Sequence, residues 1–144
     1  MPLQNFGSIL NFSEELERQD RQFYTAVVDN PACAAYTNLF SELEVDAARN
    51  IKAVQRIRRE NVTEMILEPV QDFKRAGFCE ACEEAAILSA AEALEVATRL
   101  EARADRYYSE AAEKLKSLTE VSRALKTLGK NRKAHIARLM NVKR

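Results

Sequence analysis

Apolar residues recur along this chain at alternating spacings of three and four. Tyr36, Phe40, Leu43, Ala47, Asn50, Val54 and Ile57 follow 4, 3, 4, 3, 4, 3. Leu94, Ala97, Glu101, Ala104, Tyr108, Ala111 and Leu115 follow 3, 4, 3, 4, 3, 4. Leu125, Leu128, Arg132, His135 and Leu139 follow 3, 4, 3, 4. Ile9, Phe12, Leu16, Phe23 and Val27 form a fourth apolar side, with Glu17 at its edge. Each row is the seam of an amphipathic helix turned toward partner helices. The pattern predicts an all-α, single-domain fold of four helices spanning 1–144.

Local signals set the expected boundaries. The first helix starts between Ser8 and Asn11, with Asn11 and Glu14 spaced as a capping box, and runs to about Val28. Asp29-Asn30-Pro31 stops it and restarts the chain, since proline fits a first helical turn. The second helix then runs to about Arg59. From Glu60 to about Glu80 the period fails, and Pro69 and Gly77 exclude one continuous helix. This reads as a long crossover joining two helices that run parallel, a recognised reason for such a connection. The third helix starts near Glu80 to Glu84 and ends about Lys116. Ser117 to Glu120 is a tight turn with Ser117 or Thr119 as N-cap, and the fourth helix ends near Asn141.

The seams are interrupted by polar residues at matching places. Leu16-Glu17, five residues, then Phe23-Tyr24 recurs as Leu100-Glu101, five residues, then Tyr107-Tyr108, an offset of 84. An offset of 85 superposes Ala47 and Asn50 on Arg132 and His135. This internal repeat brings Glu17, Asn50, Glu101, Arg132 and His135 to one level of the four helices. An arginine on a core seam is costly unless carboxylates meet it there.

Composition narrows the classes. Apolar residues make up 47% and charged residues 31%, with 3 Gly, 3 Pro and no Trp, which disfavours a sheet protein. The net charge of zero gives no global reason to expect nucleic acid or an anionic membrane as partner. No run approaches the roughly 18 apolar residues of a membrane span. The first ten residues lack a basic stretch and a cleavage site, so no secretory signal is expected there. Cys33, Cys79 and Cys82 are an odd number, which fits a reduced, cytoplasmic chain.

These residues resemble the rubrerythrin-like branch of the ferritin-like four-helix bundles. The resemblance rests on the two Leu-Glu…Phe/Tyr-Tyr runs, on Ile66-Leu67-Glu68-Pro69, and on Lys133-Ala134-His135-Ile136-Ala137-Arg138-Leu139. It covers nearly the whole chain. It implies a ferritin-like bundle with the crossover between helices two and three, and a homodimer. That family holds two irons with a Glu on helix one, Glu-x-x-His on helix two, a Glu on helix three and Glu-x-x-His on helix four. By the resemblance, Glu17 and Glu101 stand at the lone glutamates and His135 at the second histidine. Ala47, Asn50 and Arg132 stand where a bridging glutamate, a histidine and the other bridging glutamate belong.

Chemistry then frames the expectations. Arg132 is effectively never deprotonated, and its repulsion of a nearby metal dication would be several kcal/mol even at an effective dielectric near 20. It pairs well with carboxylates. The leading expectation is a non-enzymatic protein that has lost the di-iron centre. In it Arg132 is counter-charge to Glu17 and Glu101, Asn50 and His135 complete the hydrogen bonds, and the role is structural, regulatory or binding. The alternative is a metal-binding, peroxide-reductase-like oxidoreductase with a single iron, zinc or manganese on Glu17, Glu101 and His135.

A third reading takes Cys79 and Cys82, a C-x-x-C pair, as a thiol-redox or zinc-bridged module. Cys33 reads as a small apolar residue early in helix two. Tyr24 and Tyr108, each a heptad past a glutamate, read as core packing with a hydrogen-bonded hydroxyl, or as neighbours of an oxidising centre. The acids of helix one (Glu14, Glu15, Glu17, Asp20) are expected to balance the cations of helix four.

Overall fold

The structure, a computed structural model, describes residues 6–60 and 88–143. They form α1 (Phe6–Val28), a 3₁₀ turn (Pro31–Tyr36), α2 (Thr37–Glu60), α3 (Ala90–Lys114) and α4 (Thr119–Lys143). No strand occurs among the described residues. The expected crossover, the thiol pair Cys79/Cys82, and Gly77 and Pro69 lie outside them.

Side-chain pairs give the helix directions. Asn50 reaches Glu17 while Arg58 reaches Glu14, so α1 and α2 are antiparallel. Arg132 meets Glu101 while Ser122 donates to the Ala112 carbonyl, so α3 and α4 are antiparallel. Tyr24 meets Glu101 and Tyr107 meets the Ile9 carbonyl, so α1 and α3 oppose each other. His135 meets Asp46 and Arg138 meets Glu42, so α2 and α4 do as well. It follows that α2 and α3 run in the same direction.

Three boundaries differ from expectation. α1 begins at Phe6, so Asn11 is not its cap; it sits a turn inside the helix and accepts from Arg58 Nη1 at 2.5 Å. The start of α3 is set by Ser89, not by the Glu80–Glu84 stretch. Ser89 Oγ accepts from the Glu92 amide and Glu92 Oε1 from the Ser89 amide, a reciprocal capping box that fixes the first turn at Ala90. The restart after Asn30 is a 3₁₀ segment with Pro31 in its first turn, not α-helix from the outset. Asn30 caps it by accepting from the Ala32 amide at 3.0 Å, and its side-chain amide donates to the Leu88 carbonyl at 2.8 Å. Cys33 is buried there.

Apolar side chains collect in two clusters. One holds Ile9, Phe12, Leu16, Val54, Ile57, Tyr107 and Leu125 among others. The second holds Phe23, Phe40, Leu43, Leu94, Leu100 and Leu139 among others. Each fully buried Leu or Phe contributes about 1.5–3 kcal/mol relative to exposure. Every helix passes from one cluster to the other, and at the crossing each carries its buried polar residues. The two clusters therefore sandwich a polar layer.

Candidate functional site

The layer is built from one turn of each helix. α1 supplies Glu17 and Asp20, three residues apart on one face. α2 supplies Asn50, with Asp46 one turn earlier. α3 supplies Glu101 and Arg103, and α4 supplies Arg132 and His135. Glu17, Asp20 and Glu101 have no solvent exposure, and Arg132 is 1% exposed.

Arg132 crosses the centre. Its Nη1 donates to Glu101 Oε2 at 2.8 Å, and its Nη2 donates to Glu17 Oε2. Nη1 also lies 2.9 Å from Asp20 Oδ2, an ion-pair contact outside hydrogen-bond geometry. One guanidinium thus meets three carboxylates on two helices, the charge-assisted fork recognition that arginine performs and lysine does not. Asp20 is held from its other side by Arg103 Nη2. Asn50 Nδ2 donates to Glu17 Oε1 at 2.8 Å. The Tyr24 hydroxyl donates to Glu101 Oε1 at 2.6 Å.

His135 lies between two acids. Its Nδ1 is 3.2 Å from Glu101 Oε1 and its Nε2 is 2.9 Å from Asp46 Oδ2. Ionised carboxylates only accept, so the doubly protonated imidazolium is the form that satisfies both contacts. Burial alone would lower the His135 pKa; the hydrogen bonds and charges of Glu101 and Asp46 outweigh it and raise the value.

The two principal acids diverge although both touch Arg132. Burial dominates at Glu17 and, with Asp20 and Glu101 as like charges, raises its pKa to about 7 against the pull of Arg132. Burial also pushes Glu101 up, but Arg132, His135 and the Tyr24 hydroxyl more than offset it and leave the value at about 2. The difference is the number of donors each carboxylate faces. Arg132 itself is raised well above its ordinary value: burial works against the charge, and Glu101, Glu17 and Asp20 overcome it.

Glu17, Asn50, Glu101, Arg132 and His135 therefore meet at one level. Three further members were not anticipated. Asp20, one of the α1 acids expected to balance helix four, does meet Arg132 of α4, but inside the buried layer and together with Arg103; its spacing one turn after Glu17 is the available signal. Asp46 sits one residue before the seam position Ala47. Arg103 lies one residue off the seam between Glu101 and Ala104, and no pattern in the sequence marked it. Elsewhere on α1, Glu14 pairs with Arg18 of its own helix and with Arg58 of α2. Tyr24 has its expected hydroxyl partner, whereas the Tyr108 hydroxyl is buried without a hydrogen bond among the described residues.

Two irons do not fit this donor set as it is arranged. The carboxylate oxygens that would have to turn to metal are directed at guanidinium N–H groups, and the guanidinium adds positive charge where bridging carboxylates would be needed. Among the described residues no group of three or more His, Cys, Asp or Glu is set to hold a metal ion, and no helix is long and apolar enough to cross a membrane.

Among the described residues, fold and layer together define an all-α, four-helix arrangement with a buried carboxylate–guanidinium centre. Comparison with models of known families, with curated proteins and with solved structures finds no match for this chain.

Proposed function

We propose that this chain is a ferritin-like four-helix bundle of the rubrerythrin type in which an ionic cluster replaces the di-iron centre, and that its role is structural, regulatory or binding, not redox catalysis. The observation that carries the reading is the position of Arg132, fully buried and spanning Glu17 and Glu101. The parallel course of α2 and α3 supports the bundle topology. A homodimer follows from the resemblance alone, and a cytoplasmic location from the odd number of cysteines, Cys33, Cys79 and Cys82.

Metal analysis tests the reading. Protein produced with iron in the medium and purified without chelator is expected to retain well under one equivalent of any transition metal. About one equivalent that copurifies, and is lost with His135→Ala, would instead favour a single-metal oxidoreductase on Glu17, Glu101 and His135. A constructive counterpart is Ala47→Glu with Asn50→His and Arg132→Glu, which completes the ligand pattern implied by the resemblance. A folded variant of this kind is expected to gain two irons.

A further inference from the structure

We propose that the buried charge layer is the code by which the two halves of this chain recognise each other. Both halves, α1–α2 and α3–α4, present similar apolar faces, because the repeat places Leu16 with Leu100 and Phe23-Tyr24 with Tyr107-Tyr108. Apolar contact discriminates poorly between such faces. The polar layer does discriminate. The α1–α2 half brings two buried carboxylates, Glu17 and Asp20, and a neutral donor, Asn50. The α3–α4 half brings two buried guanidiniums, Arg103 and Arg132, and the buried imidazolium of His135 against one carboxylate, Glu101. Each half is unbalanced alone and is completed by the other: Arg132 spans to Glu17 and Asp20, and Arg103 reaches Asp20.

Self-pairing fails on charge. Two α1–α2 faces would bury four carboxylates with no guanidinium at this layer. Two α3–α4 faces would bury four guanidiniums and two imidazoles against two carboxylates. Leaving buried charge uncompensated is strongly unfavourable, so the layer acts by excluding wrong partners more than by strengthening the right one. The partner of each half is the complementary half, in the same chain or in a second copy. The inference shares the Arg132 geometry with the reading above but not its fate, since metal content does not enter the test below.

Two variants of the full chain decide it. The first neutralises the layer: Glu17→Gln, Asp20→Asn, Glu101→Gln, Arg103→Met and Arg132→Met. It is expected to fold but to lose uniqueness, showing additional masses in sedimentation or more than one set of backbone amide signals. A folded variant with the wild-type mass and a single set of signals overturns the proposal. The second exchanges charges, Glu17→Arg with Arg132→Glu, and decides the matter if the first variant does not fold. Either change alone places like charges together; the pair is expected to recover at least about tenfold in the folding equilibrium constant over the worse single variant. A double variant no better than that single variant overturns the proposal.

Discussion

The two halves of this molecule follow one repeat and differ where the polar layer is built. Where α4 has Arg132, α2 has Ala47; where α4 has His135, α2 has Asn50. Asn50 donates to Glu17 at 2.8 Å much as His135 meets Glu101 at 3.2 Å, so the pseudo-symmetry extends to hydrogen bonds. The tyrosines break it. The Tyr24 hydroxyl holds Glu101, while the Tyr108 hydroxyl, equivalent by the repeat, has no hydrogen bond among the described residues. The comparison teaches that a shared scaffold can hold acids in both halves and the cations in one. The acid with more donors, Glu101, is held ionised, and the acid with fewer, Glu17, is held near neutrality in pH.

The largest expected effect is at the shared cation. Arg132→Met leaves Glu17, Asp20 and Glu101 buried around an apolar side chain, and should lower stability by about 3–5 kcal/mol in urea unfolding at pH 7. A loss below about 1 kcal/mol would mean that the acids escape to water without it.

The tyrosine pair separates the halves next. Tyr24→Phe removes a hydroxyl that donates to a carboxylate and should cost about 1.5–3 kcal/mol. Tyr108→Phe removes no such bond and should cost less than about 0.5 kcal/mol, or stabilise. Equal costs in the two variants would contradict the asymmetry.

Titration sharpens the same contrast. His135 has a raised pKa, so its contribution is complete below its ordinary value near 6.5 and is lost as pH rises through the folded value. Glu17, raised to about 7, contributes fully below about 4.5 and also loses that contribution as pH rises through 7. Glu101, lowered to about 2, contributes above about 4.5 and loses it as pH falls toward 2. Urea midpoints should therefore fall between pH 6 and pH 8, and Glu17→Gln should flatten that decline. A midpoint that rises over this interval would contradict both assignments.

The smallest effect lies away from the layer. Ser89→Ala removes the α3 cap and should cost about 1 kcal/mol, equally at pH 6 and pH 8.

How far the sequence led follows from what periodicity can record. Seam spacing marks residues that point inward, so Glu17, Asn50, Glu101, Arg132 and His135 were visible as polar interruptions of apolar rows. Asp46 and Arg103 lie one residue off their seams and reach the layer by side-chain length and angle, which spacing does not encode. Asp20 had the right spacing but stood among other acids on helix one, and only the arginine opposite separates a buried carboxylate from a solvated one. The α3 start differs from the expected Glu80–Glu84 for a related reason. Alanine-rich sequence favours helix over a wide stretch, and the reciprocal bond between Ser89 and Glu92 selects the first turn within it.

The central claim is that Arg132 and Glu17 are coupled across the core, and a double-mutant cycle with Glu17→Gln and Arg132→Met measures this directly. A coupling above about 1.5 kcal/mol is expected, with the double variant more stable than Arg132→Met alone. Losses that add to within about 0.5 kcal/mol would show that the two side chains do not hold each other, and the ionic centre described here would be wrong.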